Sequence, residues 1–104
     1  AARRLLDHPP AAVRKAAALL SATILARTPE VDDRTGVFAD LAAVARRDVT
    51  PEVRVAATTA LGKLPGPDVR TLLEEIARED PEQSVRYAAE KLLYERRAEA
   101  KDGL

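Results

Sequence analysis

A chain of 104 residues with 46% hydrophobic and 33% charged side chains is long enough for one modest core and too apolar to remain disordered. Lys+Arg 17 balance Asp+Glu 17, so no net field draws it towards nucleic acid or an anionic membrane. The absence of cysteine excludes disulfides, thiolate zinc sites and a cysteine nucleophile, and no apolar run nears the ~20 residues that a membrane span needs.

Ala1 to Leu6 reads as the tail of a helix, and Asp7-His-Pro-Pro10 ends it because proline cannot continue the hydrogen-bond ladder. A helix then runs from about Pro10 to Arg27, with Val13, Ala16, Ala17, Leu20 and Ile24 on one apolar face. Thr28 to Gly36 carries turn and cap residues. The next helix is clearest from Val37 to Arg47 and presents Val37, Leu41, Val44 and Ala45. After Asp48-Val-Thr-Pro51, a helix to Leu64 places Val53, Ala56, Ala57, Ala60, Leu61 and Leu64 inward. Thr50 stands at its cap, Pro51 at its first position and Glu52 in its first turn. Pro65-Gly-Pro67 breaks the chain before a fifth helix, about Asp68 to Arg78, with Val69, Leu72, Leu73, Ile76 and Ala77 inward. Glu79-Asp-Pro-Glu82 turns again, and the last helix presents Val85, Ala88, Ala89, Leu92 and Leu93 before a charged tail from Glu95.

Val-Arg-x-Ala-Ala occurs at Val13, Val53 and Val85, at intervals of 40 and 32 residues. Periods of this size mark helical solenoids. The eight-residue difference falls near Thr28–Gly36, where an inserted loop is expected. The fold expected is all-α, a right-handed α-α superhelix of about five to six helices, divided into repeats at 1–27, 28–64 and 65–104. The chain opens without Met inside an apparent helix, as a piece of a longer array would, and its charged tail suits the end of one. With no signal-peptide pattern at its start, a cytoplasmic location is expected.

The residues Asp48-Val-Thr-Pro-Glu-Val-Arg54 with Ala56-Ala57 and Ala60-Leu-Gly62, and Asp80-Pro-Glu-Gln-Ser-Val-Arg86 with Ala88-Ala89, resemble HEAT repeats, especially the short HEAT-like kind also found in bilin-lyase relatives. The resemblance covers nearly the whole chain. It implies a ladder of ion pairs and hydrogen bonds between stacked turns, carried here by Asp7 with Arg14, Asp48 with Arg54 and Asp80 with Arg86. In the first copy the spacing is seven rather than six, with two prolines between. The resemblance also implies that the long second helices line a concave side.

Stepping about 100° per residue, the face opposite each buried stripe holds Lys15, Ala18, Leu19 and Ala22, then Val55, Thr58, Thr59 and Gly62, then Tyr87, Glu90, Lys91 and Tyr94. Small side chains there let another backbone approach, and tyrosine supplies contact area at low entropic cost. The partner-binding candidates are therefore Lys15, Leu19, Val55, Thr58, Thr59, Tyr87, Lys91 and Tyr94, for a protein or peptide partner. An alternative use of Tyr87 and Tyr94 is as a lid on the open end of the core. Nucleic acid is the minority reading, because paired basic residues such as Arg46-Arg47 and Arg96-Arg97 stand near helix ends, where the dipole accounts for them. A structural piece of a larger enzyme or assembly is the third, and would self-associate through an open N-terminal repeat. Catalysis has little to stand on: His8 sits in a proline turn, Ser21 and Ser84 lack a nearby base in sequence, and Asp32-Asp33 and Glu74-Glu75 are adjacent pairs that diverge on a helix. No cofactor or metal is expected, and no enzyme.

Overall fold

The computed structural model describes residues 10–27 and 34–102, with side chains apart from those of residues 34, 35 and 99–102. It contains five helices: α1 (Ala11–Arg27), α2 (Arg34–Arg47), α3 (Pro51–Leu61), α4 (Pro67–Glu79) and α5 (Gln83–Asp102). No strand occurs among the described residues. The expected helix at Ala1 to Leu6, and Asp7 and His8 with it, lie outside the described residues.

Helices α2 and α3 form one hairpin and α4 and α5 a second, while α3 packs on α1 and α5 packs on α3. The molecule measures 42 × 34 × 17 Å, a slab two helices thick. The hairpins arise locally. Pro51 and Pro67 begin α3 and α4, where the missing N–H costs nothing. Between α3 and α4, Gly66 takes φ 117°, a conformation that side chains disfavour.

The core follows the apolar stripes in four of the five helices. Val53, Ala57, Ala60, Leu61 and Leu64 are buried with Leu41, Val44 and Ala45 of α2, Val69, Leu72, Leu73 and Ile76 of α4, and Val85 and Ala89 of α5. Val37, Ala77, Leu92 and Leu93 are half-buried against it.

Helix α1 departs from the expectation. Val13 is 37% and Leu20 52% exposed; Ala17 is buried as expected, but Ala18, Ser21, Ala22 and Leu25 complete the buried face. The buried stripe is displaced by one residue, about 100° around the helix. Alanine covers so much of α1 that its own pattern hardly favours a face, and contact with α2 and α3 decides.

Residues 28–33 of the expected inserted loop lie outside the described residues, but the described helices already account for much of the eight-residue difference between repeats. Helix α1 has 17 residues against 11 in α3, and α2 has 14 against 13 in α4. Most of the extra length is helix, and Gly36 lies inside α2.

Candidate functional site

Each long helix opens the same way. The backbone carbonyl two residues after Asp48, that of Thr50, accepts from the N–H groups of Val53 and Arg54. The carbonyl two residues after Asp80, that of Glu82, accepts from Val85 and Arg86. The aspartate side chain shapes this turn, because Oδ1 of Asp48 accepts from Thr50 N–H at 2.9 Å and Oδ1 of Asp80 from Glu82 N–H at 2.9 Å. The cap at Thr50 is thus made differently from the sequence expectation. Its hydroxyl makes no capping bond to the helix and accepts from Arg14 Nη2 at 3.1 Å.

The arginines reach to the following repeat. Arg14 donates through Nε and Nη2 to the Asp48 carboxylate at 2.7 and 3.0 Å. Arg54 donates in the same fork to the Asp80 carboxylate at 3.0 and 3.3 Å. The bond that stays inside a repeat runs to a backbone carbonyl, from Arg54 Nη1 to Asp48 at 2.6 Å and from Arg86 Nη1 to Asp80 at 2.7 Å. The side-chain pairing of Asp48 with Arg54 and Asp80 with Arg86 is therefore replaced by pairing between repeats. The reason is geometric: six residues of turn bring an arginine back over its own carbonyl, while the carboxylate points to the preceding layer.

Burial pushes the Asp48 carboxyl up, but the Arg14 fork, the Thr50 N–H and the charges of Arg14 and Arg54 outweigh it, leaving it below its ordinary 3.8. With the folded value depressed, the pair contributes its full stability above that ordinary value. It loses it as pH falls through the folded one.

The eight candidate contact residues separate into groups. Val55, Thr59, Tyr87 and Lys91 line one open groove of about 1330 Å³, together with Gly62, Ala88 and Leu92, the turn from Lys63 to Pro67, and Arg70 and Glu74 of α4. Tyr87 is 65% exposed there. Lys15 and Leu19 are exposed on α1 and do not line it, and neither does Tyr94. With 65% and 72% exposure, Tyr87 and Tyr94 are not a lid over the core.

Thr58 is fully buried and is no surface contact. Ala18, Ala22 and Gly62, from the same supposed outer face, are buried as well. A Cβ on Gly62 would meet Leu92 Cδ1 at 2.5 Å, so a larger residue there would force the Leu92 side chain of α5 to move. The Oγ1 of Thr58 has no hydrogen-bond partner, a desolvation cost without return. Replacing it with the isosteric valine, Thr58→Val, is expected to stabilise the protein by about 1 kcal/mol. The change would be read as a higher urea midpoint at unchanged slope, and destabilisation would show that the hydroxyl is bonded.

A residue that spacing did not reveal ties down the turn beside the groove. Arg96 donates through Nη1 to the Gly62 and Leu64 carbonyls at 3.1 and 2.9 Å and through Nη2 to that of Gly66 at 3.0 Å. Its acceptors lie 30 to 34 positions earlier in the chain, beyond any helical period. Arg46, likewise expected to serve only its own helix end, bridges α2 to α4 through Glu75 and Glu79.

Among the described residues no helix is long and apolar enough to cross a membrane, and no group of three His, Cys, Asp or Glu could hold a metal ion. A family model described as HEAT repeats matches residues 1–93. No curated protein and no solved structure matches the chain.

Proposed function

Because the chain belongs to the HEAT-repeat family, whose repeats generally mediate protein–protein interaction, we propose that it is a non-enzymatic scaffold that docks a peptide or partner helix in the groove between α3 and α5. The observation that carries this reading is the convergence of Val55 and Thr59 on α3 with Tyr87 and Lys91 on α5 along one open channel. Val55 and Thr59 offer a small, half-buried floor. Tyr87 stands above it as a rigid aromatic anchor, the residue type on which binding energy concentrates. Among the residues that line the groove, Lys63, Arg70, Lys91, Arg96 and Arg97 outnumber Glu74 and Glu95, which favours a segment carrying acidic residues.

Selection of a displayed random-peptide library on the folded protein tests this. Selected peptides are expected to lose at least tenfold in affinity on Tyr87→Ala, about 1.4 kcal/mol or more, with the melting temperature unchanged because Tyr87 packs on little. Failure to select any peptide, or unaltered affinity in the variant, would remove the groove as the docking site.

A further inference from the structure

We infer that Arg86 is a binding site for a partner's carboxylate, an aspartate in the turn that opens a helix. Three arginines stand at the same place in the three long helices, 40 and 32 residues apart. Two of them hold a carboxylate in a two-pronged grip through Nε and Nη2, Arg14 that of Asp48 and Arg54 that of Asp80. Arg86 is anchored as Arg54 is, by Nη1 on the carbonyl of its own repeat's aspartate, at 2.7 Å against 2.6 Å. Its Nε and Nη2 edge meets no acceptor among the described residues, and Glu90, one turn on, forms no ion pair with it. Arg86 is half-buried and the bond from Nη1 to the Asp80 carbonyl orients its guanidinium, so a carboxylate arriving there meets a preformed fork.

The neighbouring positions say what kind of partner fits. In the register of the repeats, Ala18 of α1 corresponds to Thr58 of α3 and Glu90 of α5, and Ala22 corresponds to Gly62 and Tyr94. The first two members of each set are buried between helices, whereas Glu90 and Tyr94 are exposed. A helix could not close on α5 as α5 closes on α3, because a carboxylate and a phenol stand where Thr58 and Gly62 leave room. The partner therefore presents a turn to Arg86 at the start of α5 and does not lie along the helix. A second copy of this chain fits less well, since its first repeat sets Asp7 seven places before Arg14 with two prolines between, in place of the six-residue spacing of the other two copies.

The probe is a synthetic peptide of residues 48–63, the segment whose Asp48 turn this fold already places on Arg14. With the intact protein labelled at arginine Nε, the Arg86 Nε–H resonance is expected to shift saturably with peptide while those of Arg14 and Arg54 stay fixed. A peptide carrying Asp48→Asn is expected to bind about tenfold more weakly or worse, the loss of a charge-assisted pair. The Arg86→Gln protein, shown by circular dichroism to be folded, should bind the peptide at least tenfold more weakly, read from the peptide's own resonances. If that variant does not fold, the peptide substitution decides alone. A motionless Arg86 signal, equal affinity of the two peptides, or an equal response to acetate at the same concentration would overturn the inference. The groove is read separately by Tyr87→Ala, so failure here leaves that reading standing.

Discussion

Asp80→Ala is expected to destabilise the protein by about 3–5 kcal/mol, the cost of leaving a buried guanidinium without its carboxylate. The Asp80 and Arg54 side chains are only 2% and 10% exposed. The substitution removes two bonds from Arg54 and the one that Asp80 Oδ1 accepts from Glu82 N–H at the start of α5. Domains of this size have about 5–15 kcal/mol in total, so the melting temperature should fall by roughly 15–25 °C. Asp80→Asn keeps an acceptor for the turn and a neutral one for Arg54, and should lose less. In the combined Arg54→Met, Asp80→Leu variant much of the stability should return, because no charge is then left buried. Thermal melts of the four proteins check this. A loss below about 1 kcal/mol in Asp80→Ala would place the pair among exposed bridges and sink the ladder as the joint between the two hairpins.

Arg96→Ala should cost about 2 kcal/mol, the range for hydrogen bonds to a charged group. Helices leave their last four carbonyls without intrahelical partners. Beyond α3 the Gly62 and Leu64 carbonyls share Arg96 Nη1, and Gly66 takes Nη2. Water replaces part of this in the variant, since Arg96 is only half-buried, which keeps the loss below that of Asp80→Ala. Lysine at 96 restores one point charge without the planar fork and should recover only part of it. Hydrogen exchange reads the effect locally: amides from Gly62 through the first turn of α4 should exchange faster, while those of α1 and α2 change little. Uniform acceleration would mean that Arg96 supports the whole fold instead of the turn that lines the groove.

The helices were legible because apolar residues recur every third or fourth position between prolines and glycines, and α3 and α4 bury nearly the sets their spacing designates. Helix α1 was not, because Ala11, Ala12, Ala16, Ala17, Ala18, Ala22 and Ala26 spread weakly apolar surface around the cylinder. One signal did exist. Aligning the three copies sets Ala18 with Thr58 and Ala22 with Gly62, small residues in the first two copies, against Glu90 and Tyr94 in the third. Such a contrast marks a face where helices meet, and it would have withdrawn Thr58 from the contact residues. The aspartate–arginine spacing of six was equally informative about the turn and silent about which carboxylate each arginine holds.

The amino-acid sequence by itself determined that this chain forms helices, where they break, and that three copies of one unit succeed one another. Backbone entropy, proline and glycine geometry and residue spacing act within a few residues and need no distant partner. Only the tertiary structure decided which side of α1 is buried, that Thr58 is interior, that Arg14 and Arg54 reach to the next layer and that Arg96 ties down the turn before α4. Those choices rest on groups 26 to 36 positions apart in the chain. Burial and ion pairing depend on what stands opposite a side chain in space, and stacking the helices is what supplies it.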